Sequence, residues 1–227
     1  MGGLKFTMTN TNLTDRFYRQ AELVPQEKLQ TLTATVIGVG AVGRQLALQL
    51  AAIGVRQLQI FDFDHVEPTN ITTQGYEYDD LGLPKVLATQ QAIGRIDPDI
   101  VVTPVLDRFR PRYQSGEIVF CCVDKIAARE AIWRYVGRTC RFWADGRMLA
   151  ETIRVLTASS EQDRQHYGTT LFPAAAAVPG RCTARSTIYT ANLCAALMVH
   201  QFARWLRGLP LDRDLALNLL ASELIVS

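Results

Sequence analysis

Thr35-Val36-Ile37-Gly38-Val39-Gly40-Ala41-Val42-Gly43 decides the fold. A short β-branched run that meets glycines at once reads as a buried parallel strand entering a tight turn. Gly38, Gly40 and Gly43 form a G-x-G-x-x-G turn. Between a strand and a helix, such a turn lets the backbone approach a pyrophosphate closely, and the helix N-terminus favours the anion. From Ala41 to Ile53 the apolar residues Val42, Leu46, Leu50 and Ile53 recur three or four apart, and Gly54 supplies a C-terminal stop. Leu58-Gln59-Ile60-Phe61-Asp62 then reads as a second strand. Strand, helix and strand in that order make a right-handed βαβ unit, so the sheet is expected to be parallel here. Asp62 ends the second strand, about 20 residues past the turn, where a carboxylate can accept hydrogen bonds from ribose hydroxyls.

The alternation continues outward. A helix is expected from Pro84 to Ile96, ended by Asp97-Pro98, followed by strands at Ile100–Val105 and Ile118–Val123 and a helix at Ala127–Val136. Arg141–Ala144 and Glu151–Thr157 alternate polar with apolar residues, as in the antiparallel edge of a mixed sheet. The stretch from Gln162 to Arg181 is rich in Ala, Pro and Gly and shows no periodicity, which predicts a long functional loop. A long helix from Ser186 to Arg207 closes on Gly208 and Pro210, and a short apolar segment ends the sequence. The expected fold is α/β and Rossmann-like: a mixed, mostly parallel sheet with helices on both faces and an antiparallel extension. A polar, flexible N-terminal arm over 1–14 precedes a single domain over 15–227.

The sequence has 227 residues, 48% of them hydrophobic, enough to bury a full core. Its 24 basic and 22 acidic residues are mixed along the chain, so no block is suited to gripping nucleic acid or an anionic membrane. The five cysteines lie mostly in apolar runs, without CxxC spacing, which fits free thiols in a cytoplasmic protein and no structural zinc. The longest apolar stretch is interrupted by Asn192, His200 and Gln201 and reads as a buried helix, not a membrane span.

The glycine turn alone suits NAD, FAD, S-adenosylmethionine and ATP users alike. Four further stretches accompany it in order: Arg16-Phe17-Tyr18-Arg19-Gln20, then Asp62-Phe63-Asp64-His65-Val66-Glu67-Pro68-Thr69-Asn70, Gly82-Leu83-Pro84-Lys85, and Asp124 with Arg129. Together they resemble the ThiF/MoeB family, the bacterial relatives of ubiquitin-activating enzymes, over nearly the whole span from Arg16 to Gly208. The resemblance implies an ATP-dependent adenylyltransferase acting on the C-terminal glycine of a ubiquitin-like or sulfur-carrier protein. It implies that Lys85 reaches the phosphates, that Asp124 holds Mg²⁺ beside them, that Asp62 and Asp64 line the nucleotide site and that Asn70 helps fix the phosphates. Arg19 matches an arginine that crosses to a neighbouring subunit's ATP, which implies a homodimer. Such residues belong together because a carboxylate must attack the α-phosphate of ATP while negative charge builds there and on the departing pyrophosphate.

The sequence departs from the family pattern at Thr73, which stands in Thr69-Asn70-Ile71-Thr72-Thr73-Gln74 where many relatives carry an arginine. One phosphate cation is therefore missing. Cys182, flanked by Arg181 and Arg185, falls where relatives that go beyond adenylation place a reactive cysteine, and cations near a helix start favour a thiolate. Passing the acyl group to Cys182 as a thioester would bring in a conjugating-enzyme-like partner. An inert thiol near the surface is the plainer reading of the same residue. Two other functions remain open at this point: an NAD-dependent oxidoreductase resting on the glycine turn and Asp62, and a non-catalytic partner subunit, suggested by Thr73.

Overall fold

The structure is a computed structural model that describes residues 14–173 and 187–227. Its centre is one eight-stranded sheet in the order β3-β2-β1-β4-β5-β6-β7-β8. The strands are β1 (Thr33–Ile37), β2 (Gln57–Asp62), β3 (Val101–Leu106), β4 (Ile118–Cys121), β5 (Phe142–Leu149), β6 (Thr152–Ala158), β7 (Asp214–Asn218) and β8 (Glu223–Val226). The first five in sequence pair in parallel, and β6, β7 and β8 extend the sheet antiparallel. The mixed sheet and its antiparallel extension are therefore as expected. Strand order reverses between β1 and β4, and ligands of open α/β sheets bind at such a switch, outside the carboxyl ends of the strands.

Helices cover both faces. The described helices are α1 (Thr14–Phe17), α2 (Gln26–Leu29), α3 (Ala41–Ile53), α4 (Pro68–Gln74), α5 (Lys85–Ile96), α6 (Ile126–Val136), α7 (Glu161–Thr169) and α8 (Ile188–Leu206). Alternation along the strands sends Ala34, Val36, Ile118 and Phe120 into one core with Leu46 and Leu50 of α3 and Met198 and Phe202 of α8. Their neighbours Ile37, Val119 and Cys121 enter a second core with Ile132 and Val136 of α6 and Tyr167 of α7. A strand period of two thus feeds two cores at once, which is why the central strands are apolar throughout.

Several expectations need correction. Pro84 does not open α5 but precedes it as the N-cap, with Lys85 in the first helical position. The stretch expected to be an irregular loop from Gln162 contains α7, which starts at Glu161 behind a capping box between Ser160 and Asp163. The terminal apolar segment is the β7–β8 hairpin. Residues 1–13 of the expected arm and residues 174–186, including Cys182, lie outside the described residues.

Candidate functional site

Gly38 follows β1 with φ +89°, a left-handed conformation that favours glycine, and an added Cβ would stand 3.0 Å from the Cys122 carbonyl oxygen. At Gly43 a Cβ would fall 1.8 Å from the Gly38 carbonyl oxygen, so α3 packs directly against the turn that introduces it. At Gly40, the N-cap of α3, a Cβ would meet one atom of the described residues within 4 Å, the Gln74 Oε1 at 3.9 Å. Two of the three glycines serve close packing, and the third leaves room over the helix start.

Asp62 ties this turn to the next strand. Its Oδ2 accepts from the Val39 N–H at 2.8 Å and its Oδ1 from the Asp64 N–H at 2.9 Å. Burial pushes the Asp62 carboxyl above its usual range, opposed by these two backbone donors and the nearby Lys85 charge. Each carboxylate oxygen still has acceptor capacity for a ribose hydroxyl. Lys85 stands across from it, 6% exposed, its Nζ 3.4 Å from the half-exposed Asp64 carboxylate. It begins α5, the end of a helix where positive charge is least welcome, so helix stability does not explain a buried lysine there. Its position is fixed by short pairing of residues 64–66 with 82–85: Lys85 N to Asp64 O at 3.0 Å and Val66 N to Leu83 O at 2.9 Å. His65 is an exposed loop residue in this pairing.

Asn70 lies at the third position of α4, where its Oδ1 accepts from the Glu67 N–H at 3.0 Å as half of a capping box. The side chain is thus engaged in holding the helix start. Thr73 turns its hydroxyl back onto the Thr69 carbonyl at 2.8 Å and adds no charge. The end of α4 is fastened to the glycine turn and α3 at three points. Gln45 Nε2 donates to the Gln74 carbonyl at 2.9 Å, Arg44 Nε to the Gly75 carbonyl at 2.9 Å, and the Tyr76 hydroxyl to the Val39 carbonyl at 2.6 Å.

Asp124 follows β4 and is exposed, with no hydrogen bond or ion pair to any described residue. The N-cap of the following helix α6 is Lys125, so Asp124 is not its cap. Arg129 explains why an arginine stands five positions on: buried, it donates to the Val123 carbonyl and, at 3.3 Å, to the Gly146 carbonyl, and it pairs with Asp145. It braces the loop that carries Asp124 against β5. Asp145, fully buried, also receives Arg147 Nε at 2.8 Å and the Tyr167 hydroxyl at 3.0 Å, and Arg147 reaches on to Thr170. Sequence reasoning missed this Asp145–Arg147–Tyr167 network. Its one signal, Asp-Gly-Arg inside an apolar strand, carries no motif spacing.

At the N-terminus two arginines part company. Arg16 pairs with the buried Asp97 at 2.9 Å, beside Arg56 at the same distance. Arg19, in the 3₁₀ turn Tyr18–Gln20, is exposed and pairs with no described residue. The described cysteines are free thiols, and burial raises the pKa of Cys121, Cys122 and Cys140, and pushes that of Cys194 up to about 12. Gly38, Gly40, Gly43, Asp62, Asp64, Lys85 and Asp124 thus all lie at the carboxyl end of the parallel strands, where the strand order reverses. No described helix is long and apolar enough to cross a membrane.

Comparison with known proteins gives relatives with matching names. Ubiquitin-like modifier-activating enzyme 5 of Gallus gallus is 29% identical over 136 residues, 52% of this chain and 34% of that protein. The molybdopterin-synthase adenylyltransferase of Salmonella typhimurium is 33% identical over 113 residues, 47% of this chain and 45% of that protein. Each match spans less than half of the relative's length. Among solved structures, PaaA superposes with a TM-score of 0.77 at 18% identity, covering 100% of this chain and 77% of that one. E. coli MccB, solved with MccA, gives 0.76 at 16% identity, covering 95% and 72%. These two show the shared fold. The ThiF family model matches residues 11–222, and the chain belongs to the ThiF family.

Proposed function

We propose that the chain adenylates the C-terminal glycine of a ubiquitin-like or sulfur-carrier protein at the expense of ATP. The observation that carries this reading is that Lys85, whose charge acts on the Asp62 carboxyl, and Asp124, which follows the Cys122–Val123 backbone packed against Gly38, belong to the same strand ends as the glycine turn, charges an oxidoreductase has no use for. Asp62 would hold the ribose, with Asp64 beside it keeping Lys85 in place. The buried Lys85 would meet the phosphates once they draw it from Asp64. A terminal carboxylate oxygen of the carrier then attacks the α-phosphorus, the bond to the bridging oxygen breaks and pyrophosphate leaves, giving an acyl-adenylate. Asn70 supports this indirectly, by capping the start of α4.

Mg²⁺ suits a site with one exposed carboxylate that has no partner among the described residues, because it is commonly held by one or two carboxylates together with substrate phosphates. Asp124 would hold it, and the ion would neutralise charge building on the phosphates. Arg19, exposed and without a partner among the described residues, fits an arginine lent to the site of a second copy, so the working unit would be a homodimer, expected in the cytoplasm. Where the reaction goes further, the Cys182 thiolate would attack the adenylate carbonyl, releasing AMP and forming a thioester for a conjugating-enzyme-like partner. The activities for which the relatives are named and the family match support adenylation of this kind.

Pyrophosphate exchange in the presence of a candidate carrier tests the reading. Exchange should require the carrier and vanish in Lys85→Ala and Asp124→Ala, and full exchange in both variants would refute it. One observation favours a second reading. With Thr73 bonded back to its own helix, the site lacks a cation there, which suits a partner subunit that lends Arg19 to another chain. Failure to bind ATP, together with a stable complex with an activating enzyme, would establish that alternative.

A further inference from the structure

The chain leaves the sheet just before Asp124. Cys122 still bonds across to β1, its N–H donating to the Ile37 carbonyl at 2.8 Å, while the carbonyl of Val123, one residue on, takes its donor from a side chain, the guanidinium of Arg129. Arg129 lies buried in α6 and divides its Nη groups between that carbonyl and the Gly146 carbonyl of β5. A guanidinium is costly to bury without a counter-charge. Here the counter-charge is Asp145, 0% exposed, whose Oδ1 faces Arg129. Its Oδ2 is held from the other side, by Arg147 Nε at 2.8 Å and the Tyr167 hydroxyl at 3.0 Å, so Oδ1 is left to Arg129. One buried carboxylate thus stands behind two arms. The Arg129 arm ends on the residue next to Asp124, and the Arg147 arm ends on Thr170, the C-cap of α7.

We propose that Asp145 is a positioning residue for the metal: through Arg129 it holds Asp124 where Mg²⁺ meets the phosphates. The proposal rests on the reading of Asp124 as the Mg²⁺ ligand. Mg²⁺ demands near-ideal octahedral geometry, and a ligand on an exposed loop meets that demand only if the loop backbone is held. The fold grips Asp124 through its neighbours, the Lys125 carbonyl by the first turn of α6 and the Val123 carbonyl by Arg129. Only the second grip depends on a charge. Without the Asp145 carboxylate, Arg129 becomes an uncompensated buried cation, drawn toward solvent and away from Val123. Outer groups of this kind govern metal affinity without touching the metal.

Calorimetric titration of the full chain with ATP, once with Mg²⁺ and once with EDTA, tests this. In wild type Mg²⁺ should tighten ATP binding, and Asp124→Ala should abolish that gain. Asp145→Asn, of the same shape without the charge, should cut the gain about 10-fold or more while leaving affinity in EDTA unchanged. Arg129→Lys keeps a charge opposite Asp145 but lacks the fork that reaches Val123. It should show the same loss, and it carries the test if Asp145→Asn does not fold. Arg147→Gln, which frees only the end of α7, should lower Tm and keep the gain. A full Mg²⁺ gain in Asp145→Asn or Arg129→Lys would overturn the proposal, as would equal losses with Mg²⁺ and with EDTA, or the same loss of gain in Arg147→Gln. A wild-type gain that survives Asp124→Ala, or no wild-type gain at all, would overturn the metal reading of Asp124 and this proposal together.

Discussion

Gly38, Gly43, Asp62 and Asn70 are held in place by the fold itself, by close backbone contact or by hydrogen bonds at 2.8–3.0 Å. Arg19 and Asp124, by contrast, stand exposed with no partner among the described residues. The first set is a frame that folding completes. The second consists of charges whose partners must come from elsewhere, from a nucleotide, a metal ion or another copy. Lys85 stands between the two, buried like the frame yet loosely paired at 3.4 Å with a half-exposed carboxylate. The difference separates stability from function residue by residue: frame substitutions should cost folding, and those at the free charges should cost chemistry alone.

The largest effect is expected at the charges. Lys85→Ala and Asp124→Ala should each lower pyrophosphate exchange by about 10²–10³, the range for removing one preorganised group from a developing charge. Asp124→Ala should leave Tm unchanged. The glycines sharpen the contrast within one turn. Gly43→Ala places a methyl 1.8 Å from the Gly38 carbonyl oxygen and should destabilise the fold by about 1–3 kcal/mol or more, read from denaturant unfolding. Gly40→Ala meets nothing closer than 3.9 Å among the described residues and should fold normally while binding ATP more weakly.

A smaller contrast lies in the N-terminal arginines. Arg16→Ala leaves Asp97 with Arg56 and should cost about 1 kcal/mol of stability with normal exchange. Arg19→Ala should keep full stability and lose exchange, and mixing it with an Asp124→Ala chain should restore part of the activity if the arginine acts in the other subunit. The smallest effect is a pH dependence. Burial raises the Asp62 carboxyl above its ordinary value of 3.8, so it takes up a proton at a higher pH than a free carboxylate. The ionised form, which accepts ribose hydroxyls, is present above that raised pKa and lost below it. ATP affinity should therefore begin to fall on acidification before ordinary carboxylates titrate, and Asp62→Asn should remove this dependence.

Much of the frame is legible in the sequence because its signals are local. The glycine spacing, the 3.6-residue pattern of α3 and the acid that ends β2 all lie within one βαβ unit. The helices that escape notice are short or polar. α4 is seven residues with β-branched Ile71, Thr72 and Thr73, and is held by capping and docking instead of by an apolar stripe. α7 buries only Tyr167, so its one signal is the capping box at Ser160. The β7–β8 hairpin depends on pairing β7 with β6 across about sixty residues of sequence, which no local pattern records. The Asp145–Arg147 network is closed by Tyr167 and Thr170, which reach β5 from the helix α7 and its end.

The site divides in the same way. The motif residues could be named from order and spacing, but their division of labour could not. Asn70 and Arg129 hold structure through their neighbours, and only the fold separates Arg16, anchored on Asp97, from Arg19, which has no partner among the described residues.

The most direct test of the central claim is a calorimetric titration of the purified chain with Mg-ATP and, separately, with NADH. The account predicts saturable ATP binding that weakens in Lys85→Ala and Asp124→Ala, and no binding of NADH. Saturable NADH binding without ATP binding would contradict it.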